Sequence, residues 1–283
     1  MIVDAPSFVP ARFGLLSVAD MVTESDPHWA NGVKTQPEAA LVAKSYVDGC
    51  PTVAVRTKSI DEGIPTVGGN PFTVYGGFRC SPVGHSEDEI DRRASAALAN
   101  GEARAVEKVL WTGASDNGET ILPWLGNKTG TAVDFDVPSM VNVTPTPGTG
   151  VSARRALSLL EANLGLGYGG VPTIHVPRSS SSLLEQLGIV RTGSTLETLV
   201  GSKVACGGGY LASTTPQTLT AGTWFFGTGS VAVRRSSPRV VGDFASTLNK
   251  STNDVLYLVE RTYAVTWDTG LFGVLVDLTL GAV

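Results

Sequence analysis

The chain has 283 residues, with 21 Lys plus Arg against 26 Asp plus Glu and a formal net charge of −5. This composition excludes a collagen, a disulfide-stapled mini-protein and a polyelectrolyte tail. Hydrophobic residues make up 42% of the chain, enough for a sizeable core, and the length predicts two domains. Charged residues make up only 17%, so we expect part of the surface to be buried against other subunits. The alternative is a loop-rich monomer coated with Thr and Ser.

The acidic balance argues against a protein that holds nucleic acid through a basic surface, so any DNA contact is expected to be local or indirect. Cys50, Cys80 and Cys206 lie far apart and form no metal-binding pattern, so we interpret them as small buried side chains of a cytosolic protein. The start of the chain lacks the pattern of a secretory signal. No run approaches the roughly 18 apolar residues of a membrane span.

The first 80 residues predict an arm followed by a protruding hairpin. Residues 1–37 mix Pro and Gly with short apolar runs, which predicts an extended arm with one helical turn within 12–21. A short helix is expected over 37–47. The β-runs 52–58 and 72–79 flank a long polar tip and predict the hairpin, which has little of its own to pack on and therefore needs a partner surface.

The strongest local signal predicts a long helix from Ser86 to Trp111. Ser86-Glu-Asp-Glu89 forms a capping box, and Gly113 lies just beyond the predicted end. Apolar residues at spacings of three and four form one narrow stripe of mostly small side chains. The opposite face is charged and includes Glu102, Glu107 and Lys108. We expect the stripe to lie along a sheet.

The rest of the chain predicts a compact α/β or α+β unit closed by a β-hairpin. A second helix is expected over 152–164, and Ser182–Glu185 is interpreted as another capping box. The predicted strands of this region are 132–137, 139–144, 171–177, 195–200, 203–206 and 223–234. The runs 255–267 and 271–280 flank a turn at Asp268–Gly270 and predict a terminal hairpin whose buried face receives the long helix.

Glycine-rich strings do not predict a nucleotide site. Gly165–Gly170 matches a dinucleotide string, but it follows a helix and precedes a strand, the reverse of the order that phosphate binding needs. Gly148–Ala153 has the better order, but Pro145 and Pro147 interrupt the strand before it. We therefore predict no cofactor.

Other reactive residues do not converge into a catalytic or metal site. His28, His85 and His175 have no ligand spacing and are interpreted as satisfied or solvent-exposed histidines. The serines 179–182 are explained by helix capping. Arg234, Arg235 and Arg239 are expected at a solvated strand end or in an intersubunit salt bridge. No catalytic, cofactor-binding or metal-binding residue is predicted, and the chain is not expected to be an enzyme.

The order of these parts resembles the major capsid proteins of tailed double-stranded DNA bacteriophages, which have the Hong Kong 97 fold. The resemblance spans nearly the whole chain. The strings that carry it are Glu102–Gly113 (EARAVEKVLWTG), Ile174–Arg178 (IHVPR), Gly201–Tyr210 (GSKVACGGGY), Trp224–Arg234 (WFFGTGSVAVR) and Glu260–Trp267 (ERTYAVTW).

The resemblance implies an α+β fold with four parts. Residues 1–50 would form the amino-terminal arm, and 51–82 the extended β-hairpin loop that lies on a neighbouring subunit. Residues 83–150 and 245–283 would form the peripheral domain, with its spine helix 86–111 and the terminal hairpin. Residues 151–244 would form the α/β axial domain at the capsomer centre.

The resemblance also implies a function. Copies would self-assemble into hexamers and pentamers of an icosahedral shell around a phage DNA genome, in the virion after assembly in the host cytoplasm. DNA would be enclosed without sequence-specific binding. Because no helical, charged segment precedes the arm, and because Met1 is present, we expect a separate scaffold protein or none. Portal and decoration proteins are further expected partners. The alternatives are an encapsulin-type compartment and, in another class, a cytosolic monomeric enzyme.

Long charged side chains suit the polar rims of intersubunit contacts. On this ground we expect such contacts at Arg56, Lys58 and Arg79 of the hairpin and at Arg92, Arg93 and Arg104 of the long helix. Certain relatives also join neighbouring subunits by an isopeptide bond between a Lys of the loop and an Asn of the peripheral domain, with a Glu as base. Here the matching residues would be Lys58 with Asn249 or Asn253.

Overall fold

The computed structural model describes residues 8–37, 43–45, 66–81, 83–128, 137–210, 223–242, 248–249 and 251–279. Its α-helices are α1 (Leu15–Val18), α2 (Glu87–Thr112) and α3 (Ala153–Gly167). Two short 3-10 helices span Pro27–Asn31 and Arg178–Leu183. The strands are β1 (Asp20–Thr23), β2 (Val33–Thr35), β3 (Val67–Gly69), β4 (Phe72–Cys80), β5 (Val141–Asn142), β6 (Thr173–Pro177), β7 (Val190–Thr192), β8 (Thr195–Glu197), β9 (Lys203–Gly207), β10 (Thr223–Thr228), β11 (Val231–Arg235), β12 (Arg239–Val241), β13 (Leu248–Asn249), β14 (Asp254–Trp267) and β15 (Leu271–Val276).

The helix α2 confirms the predicted long helix almost residue for residue. Ser86 is its N-cap, and the Ser86 hydroxyl accepts a hydrogen bond from the Glu89 amide at 3.2 Å. Gly113 closes the helix in the left-handed region, with φ 68°, and its amide donates to the Val109 carbonyl at 2.8 Å. Its 26 residues span about 39 Å at 1.5 Å per residue.

A six-stranded sheet lies under α2. The long strand β14 pairs with β4 on one side and with β11, β12 and β13 on the other, while β1 joins β11 in parallel. The sheet face toward α2 is apolar and includes Val74, Tyr257 and Val259. Gly76 allows the close approach, since a Cβ there would lie 2.3 Å from the backbone nitrogen of Leu98. The helix therefore lies on β4 and β14, and of the two runs predicted to receive it, 255–267 does so as β14.

A seven-stranded sheet carries the second part of the core. Its strand order is β5-β15-β10-β6-β9-β8-β7, with β6 parallel to β9 and β15 parallel to β5. The helix α3 covers one face, where Leu160 and Leu164 pack near Gly227. The other face, including Trp224 and Phe226, belongs to the cluster under α2. Every residue of β10 is buried because both faces of this strand are covered.

The predicted terminal hairpin is wrong. The strand β14 lies in the six-stranded sheet and pairs with β11, whereas β15 lies in the seven-stranded sheet and pairs with β10. The connection between β10 and β11 and the connection between β14 and β15 pass from one sheet to the other side by side. The Gly229 amide donates to the Thr269 carbonyl at 2.8 Å, and the Asp268 amide donates to the Ser230 carbonyl at 3.0 Å. The turn at 268–270 is therefore a corner of a two-stranded ribbon that both sheets share.

The remaining predictions have mixed outcomes. The helical turn within 12–21 is α1, the second helix is α3, and the second run of the hairpin is β4. The first run, 52–58, and the strand 132–137 lie outside the described residues, as does most of the predicted helix 37–47. The capping box at Ser182–Glu185 is wrong as a helix start, because a 3-10 helix ends there and turns follow. The predicted strand 223–234 is divided between β10 and β11.

Candidate intersubunit surfaces

Within the described residues, no group of three or more His, Cys, Asp and Glu side chains is placed to hold a metal ion. The three histidines lie apart: His28 contacts Asp26, and His85 contacts Glu89 at 3.1 Å. His175 is buried in the seven-stranded sheet. No described helix is both long and apolar enough to cross a membrane. The candidate functional residues are therefore those on the surface and those that hold surface segments in place.

Arg79 lies at the end of β4 on the edge of the six-stranded sheet. Its Nε donates to Asp254 Oδ2 at 2.5 Å, which raises the pKa of Arg79 and lowers the pKa of Asp254. The Arg79 side chain is 58% exposed. The predicted contact residue is thus already paired within its own subunit, although its exposed guanidinium keeps donors free for a second partner.

The three predicted arginines on α2 differ in their surroundings. Arg93 is bound by Glu89, with Nη2 and Oε1 2.7 Å apart, one turn earlier in the helix. Arg92 and Arg104 are exposed, and neither forms an ion pair with a described carboxylate. Arg56 and Lys58 lie outside the described residues. Arg92 and Arg104 are therefore the predicted contact residues whose charge is least compensated within the subunit.

The two asparagines proposed for a cross-link lie just before β14, Asn249 at the end of β13 and Asn253 in the turn that follows it. Asn249 Oδ1 accepts hydrogen bonds from the Ser251 amide at 3.0 Å and the Ser251 hydroxyl at 2.7 Å. Asn253 holds the left-handed conformation, with φ 52°. Both side chains are exposed, near the Arg79–Asp254 ion pair. The structure therefore places both amides at the surface, and Lys58 lies outside the residues it describes.

Two groups of exposed apolar side chains accompany these charges. On the outer face of the six-stranded sheet, Tyr75 is 63% exposed and Leu256 is 48% exposed. At one end of the seven-stranded sheet, Leu166 is 90% exposed and Leu199 is 80% exposed. Val200 lies beside Leu199 in the turn before β9 and is exposed as well. Exposed apolar side chains of this size mark a contact surface where they form a continuous patch.

A surface groove runs beside α2. It has a volume of 760 Å³ and is formed by the start of β4, the last turns of α2 and the loop 114–121. Its charged side chains are Lys108, Asp116, Glu119 and Glu260. Lys108 Nζ lies 2.5 Å from Asp116 Oδ1. The groove is therefore more acidic than basic.

Glu107 is buried, although the helical pattern predicts it on the charged outer face of α2. Its side chain is only 3% exposed. Its Oε1 accepts from the Leu15 amide at 2.9 Å, and its Oε2 accepts from the Gly209 amide at 2.8 Å. Burial raises the pKa of Glu107, and the hydrogen bonds and nearby Arg178 offset part of that effect. Glu107 thus caps α1 and fastens the arm to α2.

One sequence signal marks this position. Val106, Leu110 and Trp111 stand one residue before and three and four residues after Glu107, and all three are buried. At helical spacing these residues surround Glu107, so the last turns of α2 are apolar on more than one face. Gly209 supplies the space on the other side, since a Cβ there would lie 2.3 Å from the Arg104 carbonyl oxygen.

A second buried polar group lies close by. His175 donates or accepts at both ring nitrogens, with Tyr210 Oη and Thr228 Oγ1 each at 3.0 Å. Burial lowers the pKa of His175 to about 3, so the ring is neutral at physiological pH. Tyr210 stacks on Trp111 with ring centroids 4.9 Å apart. This group joins the seven-stranded sheet to α2 and is structural.

Comparison with solved structures gives matches along nearly the whole chain. The capsid of an empty GTA particle is 13% identical, with a TM-score of 0.59, and the match covers 97% of this chain and 100% of that chain. For Microbacterium phage Oxtober96 the identity is 13%, the TM-score 0.54 and the coverage 98% and 95%. For the capsid of Ralstonia phage GP4 the identity is 10%, the TM-score 0.50 and the coverage 92% and 87%. No family model and no curated protein matches the sequence.

These identities are low, so the matches concern the fold. The three matches cover 92% to 98% of this chain. The chain therefore has the Hong Kong 97-like fold of phage capsid proteins.

Proposed function

We propose that this chain is the major capsid protein of a tailed bacteriophage, and that its copies form the hexamers and pentamers of an icosahedral shell around double-stranded DNA. The observation that carries the proposal is the full-length match in fold: a match covering 97% of this chain accounts for the whole of a capsid chain.

The surface supports self-association. Charged residues make up 17% of the chain, while several large apolar side chains are exposed on the outer sheet face and at the end of the seven-stranded sheet. Such surfaces are usually covered in stable assemblies. We assign the intersubunit contacts to these two apolar groups and to the charged rim residues Arg79, Arg92, Arg93 and Arg104, together with Arg56 and Lys58 of the hairpin.

Each of the two sheets corresponds to one proposed domain. The six-stranded sheet with α2 would be the core of the peripheral domain, assigned to 83–150 and 245–283. The seven-stranded sheet with α3 would be the core of the axial domain, assigned to 151–244. Because β15 pairs with β10, residues 271–276 pack with the axial sheet although they follow the peripheral strand β14. The arm, 1–50, and the extended loop, 51–82, would reach neighbouring subunits.

Cross-linking of the shell is a further element of the proposal. An isopeptide bond between Lys58 and Asn249 or Asn253 of a neighbour would join subunits covalently and release ammonia. Both asparagines are exposed, which such a reaction between subunits requires. A ladder of covalent oligomers on a denaturing gel of purified particles is the expected result, and a single monomer band would exclude the bond.

The partners follow from the same proposal. The further partners of the shell would be a portal protein, decoration proteins and either a separate scaffold protein or none. The shell would lie in the virion after assembly in the host cytoplasm. DNA would be enclosed without recognition of its sequence. Apart from the cross-link between copies, the chain would catalyse no reaction.

Two other functions make different predictions. An encapsulin-type compartment would have the same fold but would co-purify with a cargo protein instead of nucleic acid. A monomeric enzyme would sediment as a species of 29.4 kDa and would turn over a substrate.

Sedimentation of the protein expressed alone separates these cases. The proposal predicts a fast-sedimenting fraction of rings or shells, and absorbance at 260 and 280 nm tells nucleic acid from protein cargo in it. Co-expression with the scaffold gene of the same phage is the control for a chain that needs help to assemble. A homogeneous, catalytically active monomer in both experiments would exclude the proposal.

A further inference from the structure

Three arginines from separate parts of the chain lie next to Phe13 in sequence or in space. Arg12 precedes it in the arm, Arg178 follows β6, and Arg191 lies in β7. Arg178 Nη1 donates to the Arg12 carbonyl oxygen at 3.4 Å. The guanidinium carbon of Arg191 lies 5.6 Å from the centre of the Phe13 ring. We call Arg12, Arg178 and Arg191 the arginine group.

The segment that carries Arg12 is firmly held. The Phe13 carbonyl accepts a hydrogen bond from the Cys206 amide at 2.6 Å. Two residues later, the Leu15 amide donates to the buried Glu107 carboxylate at 2.9 Å. Phe13 itself has φ 67°, an unusual conformation for a residue with a side chain. Such a conformation persists only where its surroundings fix it. The arginine group is therefore fixed by the fold at its backbone positions.

The positive charge of the group is only partly compensated by described neighbours. All three arginines are exposed, and none forms an ion pair with a described carboxylate. Glu107 interacts electrostatically with Arg178, while its two oxygens accept hydrogen bonds from backbone amides. Arg79, Arg234, Arg239 and Arg261 are each paired with an acid. Arg92 and Arg104 of α2 also form no ion pair, but the arginine group draws on three separate segments of a chain whose net charge is −5.

We infer that the arginine group binds the phosphate backbone of double-stranded nucleic acid. This inference rests on the proposed function and names the part of the subunit that touches the enclosed genome. Guanidinium groups match phosphate oxygens in geometry and keep their charge at any physiological pH. Several fixed cations fit a polymer with evenly spaced phosphates better than they fit a single small anion. The contact reads no base, because it consists of phosphate contacts alone.

A salt titration measures this contact directly. The probe is a fluorescein-labelled 24-base-pair duplex of mixed sequence, added to unassembled protein in fluorescence anisotropy. Each phosphate contact contributes about 0.9 to the slope of log affinity against log salt. The variant R12Q/R178Q/R191Q is therefore expected to lose a slope of about 2.7. Between 50 and 150 mM salt, wild-type affinity would fall by about 20-fold more than that of the variant.

A matched control separates this patch from general charge. The variant K108Q/R234Q/R239Q removes the same number of positive charges from side chains that are at least partly exposed, are paired with acids and are assigned no contact role. It is expected to keep the wild-type slope. Equal slopes for wild type and R12Q/R178Q/R191Q, or an equal loss in the control, would overturn the inference.

Assembly gives a separate readout. If R12Q/R178Q/R191Q binds the duplex like wild type but forms no shells, the group contacts an acidic surface of a neighbouring copy and the inference is wrong. If wild-type protein never assembles, the proposed function fails whatever the titration shows. If it assembles, and only the arginine-group variant loses salt-dependent binding, both stand. Thermal unfolding of each variant checks that these exposed substitutions leave the fold intact.

Discussion

Replacement of Glu107 tests whether one buried carboxylate holds the arm on α2. The carboxylate accepts the Leu15 amide with one oxygen and the Gly209 amide with the other. A Cβ at Gly14 would lie 2.1 Å from Oε1 of Glu107, so the first turn of α1 packs directly on this group. No other described side chain caps α1, whose N-cap residue is Gly14. Loss of the carboxylate should therefore release α1 and the segment before it.

The expected size of the effect follows from the contacts. Glu107→Ala leaves two buried backbone donors without acceptors, at about 1–3 kcal/mol each, while removal of a buried charge returns part of that energy. We expect a net loss of about 2–4 kcal/mol. Glu107→Gln keeps one acceptor oxygen and should lose about 1–2 kcal/mol. Since about 1.4 kcal/mol is a tenfold change, opening of the arm in the alanine variant should increase on the order of 30- to 900-fold.

Trypsin cleavage after Arg12 reports this opening. Arg12 is exposed, but the bond that follows it leads into the packed residues Phe13 to Val18, so cleavage requires the arm to come away. The amino-terminal fragment is followed by mass spectrometry. Glu119→Ala removes an exposed carboxylate in the loop after α2 and should leave the rate unchanged. Equal cleavage rates in wild type and Glu107→Ala would refute the reasoning.

The pH dependence of the same variants has a defined sign. Burial raises the pKa of Glu107 above its usual 4.5, so at a pH between 4.5 and the folded pKa the folded state holds a proton that the unfolded state has released. The contribution of Glu107 to stability is therefore lost as pH rises through the folded pKa, and it grows as pH falls toward 4.5. The difference in unfolding free energy between wild type and Glu107→Gln should be larger at pH 5 than at pH 7. A smaller difference in urea titrations at pH 5 would contradict this.

Three further predictions concern packing, titration and assembly. Gly76→Ala should destabilise the unassembled subunit by about 1–3 kcal/mol, because the added Cβ would collide with the Leu98 backbone. Gly101 has open space around it, so Gly101→Ala should stabilise α2 by up to about 1 kcal/mol. Equal shifts of the melting temperature in the two variants would be inconsistent with this packing. Burial lowers the pKa of His175 to about 3, so the stability of wild type relative to His175→Gln should fall as pH drops below 6.5. A difference in unfolding free energy that does not change with pH in urea titrations would count against a buried neutral ring. Arg92→Glu should change the melting temperature little but reduce the fast-sedimenting fraction, and unchanged assembly would remove Arg92 from the contact surface.

Local signals predicted the elements well because their causes are local. The start of α2 depends on Ser86 and three acidic residues in the first turn, and its end depends on Gly113 in the left-handed conformation. Both are visible in the sequence. The capping box at Ser182–Glu185 shows the limit of this reasoning. A capping residue favours a helix start, but the turn that follows, through Gly188 with φ 69°, ends the segment before a helix can form.

Pairing of the last strands could not be predicted from the same signals. A short turn between two apolar runs favours a hairpin, and Asp268–Gly270 provides one. In the fold, β10 and β11 offer partners to both runs, and the hydrogen bonds between Gly229 and Thr269 continue the ribbon across the corner. Which partner a strand takes depends on contacts distant in sequence, which no local pattern contains.

The same limit explains Glu107 and the contact residues. A single apolar stripe predicts one buried face of α2, but its last turns also meet the Gly209 loop and α1, which come from distant parts of the chain. The predicted arginines are at the surface as expected for Arg79, Arg92, Arg93 and Arg104. Their roles between subunits stay predictions, since contacts between copies are not encoded in any one helix or strand.

Electron microscopy of the fast-sedimenting fraction, from cells that express the chain alone or with its scaffold, tests the central claim most directly. Closed shells or capsomer rings with five- and six-fold symmetry are expected, in which α2 and the two sheets can be fitted as one subunit. Particles built on another symmetry, or a homogeneous monomer under both conditions, would contradict it.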